Sequence, residues 1–155
     1  MQPASYTRRG VSFLVDHLVV AVPVLTVAVV LGFDLLGENA EASILRLDVA
    51  TAAWSLVYFT VLVGRWGATL GKLVTRTRVV DVDGERLSWP AALQRALVPV
   101  ALGVIPVIGP LLYLGVYAFA FTNPQRQGLH DRAAGSLVVP TRVSQEAYAD
   151  ASWAE

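Results

Sequence analysis

The chain has no cysteine. That excludes disulfides, thiol nucleophiles and cysteine-ligated metals, and it removes the usual clue to redox compartment. Charge is scarce too: 15% of the 155 residues are Asp, Glu, Lys or Arg, against about 25% in an ordinary soluble domain. The twelve bases and twelve acids cancel, so no basic field points to nucleic acid as a partner. No H-E-x-x-H, no G-x-S-x-G and no rhomboid-like serine–histidine pairing occurs, and Ser12, Ser55 and Ser88 have no histidine at a telling spacing. Neither an enzyme nor a cofactor is expected on these grounds. No repeat of 20–50 residues is visible.

What is present is apolar. Hydrophobic residues make up 55% of the chain, and they cluster in runs long enough to favour lipid over a water-facing fold. The first run extends from about Val11 to Gly32, enough to cross a hydrocarbon core of roughly 30 Å. Pro23 lies where it can kink this span. Arg8 and Arg9 before the run, and Ala40-Glu41-Ala42 after it, mimic a cleaved leader. The run is too long for one, however, Asp16 and His17 interrupt its start, and Asp34 and Glu38 precede the cut, so a retained span is expected.

Residues 34–48 read as a loop with four acids and one base, and a second span runs from about Val49 to Val63. Trp54, Tyr58 and Trp66 are packing residues or interfacial anchors there. The 65–95 segment then carries six bases: Arg65, Lys72, Arg76, Arg78, Arg86 and Arg95. The positive-inside rule puts the N-terminus and 65–95 in the cytoplasm and the acidic loop outside. Within 65–95, the β-branched run Val74–Val80, the Asp83-Gly84 turn and Glu85–Leu87 predict a hairpin. Ser88 is placed to cap a helix with Pro90 in its first turn.

The third apolar region, Ala96 to Phe121, is broken by Pro99, Gly103, Pro106, Gly109 and Pro110. As one helix it would be about 39 Å long, and it would leave Arg126, His130, Arg132 and Arg142 outside, against the charge rule. As two short helices, about 90–105 and 110–122, it returns the C-terminus to the cytoplasm. The second reading is preferred, with one piece re-entrant or shallow. Residues 143–155 are polar and alanine-rich, and a frayed tail is expected.

Four polar elements stand out. Asp16 lies inside the first span, where a carboxylate costs about 2.5–3.5 kcal/mol on insertion scales. Arg9 is two helical turns earlier on the same face, about 10 Å along the axis, so a third group is expected to help neutralise the acid. The pair could tune ion access or simply fix how the first helix docks, and buried pairs often do the latter. His130-Asp131-Arg132 could form a proton relay or a metal site, but adjacent helical residues diverge by about 100° and do not chelate one ion easily. A juxtamembrane cap ended by Gly135 is the simpler reading. Gly64 to Leu73 superficially resembles a phosphate loop, yet Trp66 takes the first glycine's place and Leu73 replaces the hydroxyl residue. A glycine turn that sets Lys72 at the headgroups fits better. Arg95, at the entrance to the third region, is a candidate partner for Asp16 or Asp131, or a snorkelling cation.

In order along the chain, these elements resemble the RDD family of small prokaryotic membrane proteins. That family opens with an arginine followed seven residues later by an aspartate, as at Arg9 and Asp16. It carries Thr-Pro-Gly-Lys after the second helix, here Thr69-Leu70-Gly71-Lys72. A valine-valine-aspartate stretch follows, here Arg78-Val-Val-Asp81 through Gly84 to Leu87-Ser88. An arginine opens the next helix, here Arg95, and a final His-Asp motif corresponds to His130-Asp131 with Gly135-Ser136. Leu70 in place of proline and Ser136 in place of threonine are departures. The resemblance spans roughly residues 6–140 and implies that the name-giving residues are Arg9, Asp16 and Asp131. The family is mostly of unknown function, and transport roles, including cation/proton exchange, are proposed for some of its members.

The expected fold is an all-α membrane bundle of three to four membrane helices with a small cytoplasmic β-hairpin. Residues 1–142 form the membrane domain and 143–155 the tail. The expected location is the inner (plasma) membrane, with both termini cytoplasmic and the lipid bilayer as partner. The expected role is ion or small-solute movement by a homo-oligomer, or an accessory part in a membrane complex. Arg9, Asp16, Lys72, Arg95, His130 and Asp131 are the candidate charged cluster.

Overall fold

A computed structural model describes residues 1–141; the expected tail at 143–155 and Arg142 lie outside the described residues. Helix α1 spans Tyr6–Val30. Ser5 caps it, its hydroxyl accepting from Arg8 N–H at 3.4 Å, so the helix starts a turn and more before the apolar run and carries both arginines. Gly32 ends it with a φ of 67°. Asp34 organises the connection, its carboxylate accepting from Gly37 N–H at 2.7 Å and Asn39 N–H at 3.2 Å. Helix α2, Ala40–Trp66, is longer than the apolar pattern suggested and takes in most of the acidic loop. Gly67 closes it in the left-handed region, φ 66°, where glycine carries no Cβ penalty.

Helices α1 and α2 are apolar along most of their length, and most of that apolar surface is left uncovered by the rest of the protein. A core helix of a soluble protein would be covered; these present their apolar faces outward, as lipid-facing spans do.

Among the described residues only these two helices are long and apolar enough to cross a membrane. This corrects the expected three to four membrane helices. The third apolar region divides into α4, Trp89–Gly103, and α5, Gly109–Ala118, followed by a 3₁₀ turn, Phe119–Thr122. At 1.5 Å per residue they are about 22 Å and 15 Å long, well short of a hydrocarbon core of about 30 Å. The break between them is a close approach of backbone: a Cβ on Gly109 would overlap the Gly103 carbonyl oxygen.

The hairpin is corrected as well. The Asp83-Gly84 turn forms, with Asp81 N–H donating to Glu85 O at 3.0 Å and Gly84 at φ 91°, but Glu85–Leu87 does not become a strand. Instead β1, Thr77–Asp81, pairs antiparallel with β2, Ser136–Pro140, in the register Thr77↔Pro140 to Asp81↔Ser136. Each strand buries two consecutive valines, Val79-Val80 and Val138-Val139, so the sheet is covered on both faces at its centre. The chain start adds to the edge through Ala4 N–H to Val138 O at 2.8 Å. Ala4, Val63, Val79, Leu87, Ala92 and Val138 form one apolar core beneath the sheet.

Two short helices complete the fold: α3, Leu70–Val74, which packs on α1, and α6, Leu129–Ala133, which packs on α4 and α5. The start of α1, both strands and α6 therefore meet at one end of the molecule.

Candidate functional site

Two buried carboxylates organise that end. Asp16, on α1, is 1% exposed. Its Oδ1 accepts from Tyr58 O–H at 2.8 Å and from the backbone N–H of Gly71 at 2.8 Å. Its Oδ2 accepts from Thr69 O–H at 2.6 Å, with Ser12 O–H at 3.4 Å. Thr69 is also the N-cap of α3, accepting from Lys72 N–H at 3.4 Å, so one residue fixes the helix and holds the acid. Gly71 permits the contact, because a Cβ there would collide with the Ser12 carbonyl oxygen and the Asp16 carboxylate. Four neutral donors thus fill a carboxylate that offers about four lone-pair sites. The cation nearest to it, Lys72 Nζ, stands off at 3.7 Å from Oδ2.

Asp131, fully buried on α6, is held differently. Arg95, from α4, donates from Nε at 3.0 Å and Nη2 at 2.7 Å to Oδ1. Arg9 Nη2 closes on Oδ2 across 122 residues of chain. Gly128 N–H donates to the same oxygen at 3.0 Å and so caps α6. His130 Nε2 lies 3.3 Å from Oδ1. Burial would push Asp131 up, but the His130 ring, Arg95 and Arg9 outweigh it and hold the carboxyl well below its usual range. Burial, reinforced by the Arg95, Arg9 and Lys72 charges, pushes His130 down to about 3, against the pull of Asp131. The imidazole is therefore neutral at pH 7, and its Nδ1 is buried without a hydrogen-bond partner.

Asp16 and three neighbours of Asp131, namely Arg9, Arg95 and His130, line a cavity of about 320 Å³. Arg9, Asp16, His17, Lys72, Arg95 and His130 are part of its polar wall, and Phe13, Phe59, Leu114 and Phe121 are part of its apolar wall. On that wall His17 donates from Nδ1 to Phe13 O at 2.6 Å and its Nε2 lies 2.7 Å from the Tyr113 hydroxyl, so the ring is occupied locally. Burial also pushes Lys72 down to about 8, helped by repulsion from Arg95 and Arg9 and opposed by Asp16 and Asp131.

The structure brings all six candidate residues into one region but does not pair them as the α1 spacing suggested. Arg9 binds Asp131, not Asp16; from two turns away on one helix its side chain reaches across to α6 rather than back along its own axis. Arg95 resolves toward Asp131. Lys72 points inward, 8% exposed, rather than to headgroups. Gly135, at φ 58°, follows the end of α6, as a cap would.

Tyr58, Thr69 and Ser12 were not anticipated. Ser12 is four residues before Asp16 and so on its face, and Thr69 stands in the N-cap position before Leu70-Gly71-Lys72. Tyr58 left no signal, because a tyrosine in an apolar helix reads as an interfacial anchor. Among the described residues no group of three or more His, Asp or Glu is placed to hold a metal ion.

No curated protein and no solved structure matches the chain. The RDD family matches residues 3–135, which takes in both carboxylates and every element up to the second strand. This α-helical integral membrane protein belongs to the RDD family.

Proposed function

We propose that the protein helps move ions or small solutes across the inner (plasma) membrane, working as a homo-oligomer. The observation that carries this reading is the cavity walled by Arg9, Asp16, Lys72, Arg95 and His130. Ionisable residues among apolar helices are costly and concentrate along solute and ion routes. The two acids divide the work. Asp131 is locked by two guanidiniums that cannot lose their protons, so it holds the bundle together. Asp16 is held by neutral hydroxyls and one amide, with a lysine at a distance, so it is the acid free to change partners. Two spanning helices supply little wall for a route, and a second copy would complete it.

Residues 1–142 act as the membrane domain, with the N-terminus and 65–95 cytoplasmic. The clustering of the α1 start and both strands at one end supports a common side for these segments, and their bases favour the inner face. The test is flux through purified protein in liposomes. Flux that falls in Asp16→Asn is expected; no flux, or flux unchanged by that substitution, removes the reading.

One observation favours an accessory role instead: the saturation of Asp131 reads as a structural clamp. Under that reading Asp16→Asn lowers stability or complex yield with no ionic effect. Gentle-detergent purification would recover a partner; recovery of this chain alone counts against it.

A further inference from the structure

Lys72 is the only lysine in the chain, and it is spent inside the cavity. Its ammonium has three donors, yet its contacts are long: 3.5 Å to Thr69 Oγ1 and 3.7 Å to Asp16 Oδ2. Thr69 and Asp16 are already occupied by each other and by Tyr58 and Gly71, so neither can take more from it. Arg9, on the same wall, has a second unused donor, Nη1, buried without a partner. The charges do not balance either. Among the described residues Arg9, Arg95 and Lys72 meet two carboxylates, Asp16 and Asp131, and His130 is neutral at pH 7. One positive charge is left over in a site mostly lined by carbon. A buried, under-bonded cation is costly unless something pairs with it.

We propose that the cavity binds a small phosphate-type oxyanion, taken up by the Lys72 ammonium with the Arg9 guanidinium beside it, as carried by an acidic phospholipid headgroup or by free phosphate. Guanidinium and ammonium groups are the usual pair for such oxygens. The apolar wall of Phe13, Phe59, Leu114 and Phe121 gives room for the aliphatic part of an amphiphile. This deepens the transport reading by naming the ligand class of the same cavity, and it can fail or stand independently.

A single lysine makes the test direct. Full-length protein labelled with ¹⁵N at lysine gives one side-chain ammonium signal, whose titration midpoint is expected near 8 in uncharged detergent. Two probes are added in turn: inorganic phosphate up to about 10 mM, the weak limit of useful affinity, and bilayer discs containing phosphatidylglycerol against discs of phosphatidylcholine alone. Binding of an anion raises the midpoint by about one unit, a tenfold preference for the charged amine. Response to phosphatidylglycerol only identifies a lipid headgroup; response to phosphate only identifies the free ion; response to both supports the shared chemistry. Both variants lack the lysine signal, so their binding is read by calorimetric titration with the same two probes: Lys72→Met weakens binding about tenfold and Lys72→Arg keeps it, as expected for one charge-assisted contact. If neither probe moves the midpoint, or if folded Lys72→Met binds as well as the unaltered chain, the inference is overturned. Should Lys72→Met not fold, the labelled native protein still decides. Flux without anion binding sinks this inference and leaves the transport reading; anion binding without flux does the reverse.

Discussion

Removing the charge of Asp131 should be far more damaging than removing that of Asp16, although both acids are buried. Asp131→Asn keeps the shape of the side chain but leaves Arg95, bound through two nitrogens at 3.0 and 2.7 Å, and Arg9 facing an amide. Neither guanidinium can neutralise itself by releasing a proton. Breaking one member of a buried ion pair costs about 3–5 kcal/mol, and here two cations are stranded, so the upper part of that range is expected. Asp16→Asn keeps an oxygen for Tyr58 and Gly71, and its remaining neighbours are hydroxyls that can reverse their role. Its only cation, Lys72, already sits near 8 and sheds its proton cheaply. A loss of about 1–3 kcal/mol is expected, that of an imperfectly satisfied polar group. Thermal unfolding of both variants in the same detergent measures the order. Arg95→Met added to Asp131→Asn should recover part of the loss, because it removes a stranded charge. Equal losses, or a larger one for Asp16→Asn, would refute the division of the two acids into a clamp and an exchangeable group.

Further outcomes follow from packing and titration. Gly71→Ala forces a methyl into the Ser12 carbonyl and the Asp16 carboxylate, and a loss at or above about 3 kcal/mol is expected from overpacking against backbone, read as a lowered melting temperature. Gly64→Ala meets the Trp89 ring at 2.7 Å, but Trp89 is half exposed and can swing away, so a smaller loss should appear in the same assay. Tyr58→Phe removes a donor to Asp16 and the acceptor of Leu70 N–H, and about 1–3 kcal/mol should be lost. Acid should destabilise the protein: His130 binds its proton near 6.5 when unfolded and near 3 when folded. Between those values the unfolded chain holds more protons, so stability falls as pH falls. Asp131, held below its usual range, adds a loss in the same direction at lower pH. Melting curves from pH 7 to 4 test this, and His130→Gln should flatten the slope above pH 5.

The two spanning helices were legible because lipid-facing helices are apolar on nearly every side, which leaves a strong signal over Val11–Gly32 and Val49–Val63. Their true starts, at Tyr6 and Ala40, were not, because the first turns are polar and are set by Ser5 and by the Asp34 connection. The strand Thr77–Asp81 was visible in its β-branched residues, but its partner was not. The Asp83-Gly84 turn makes a local hairpin the natural choice, and nothing in Ser136–Pro140 announces a pairing some sixty residues away. The break of the third region at Pro106 and Gly109 was readable, and so was the shortness of its pieces; that both rather than one fall short of a crossing depends on where each helix is capped. In the site, Arg9, Asp16, Lys72, Arg95, His130 and Asp131 were visible as costly residues in apolar surroundings. Which charge meets which depends on how helices cross, and sequence spacing reports only neighbours along one helix.

The long reach from Arg9 to Asp131 has a bearing on biosynthesis. At ribosomal speeds of about 5–20 residues per second, the 122 residues between them take about 6 to 25 seconds to appear. Throughout that interval the first helix is already made while its guanidinium has no counter-ion, and the strand that seals the sheet does not yet exist. An unfinished or truncated polypeptide therefore carries a visible mark of incompleteness, a lone cation and an open sheet edge, which membrane quality-control proteases could read before α6 and β2 arrive.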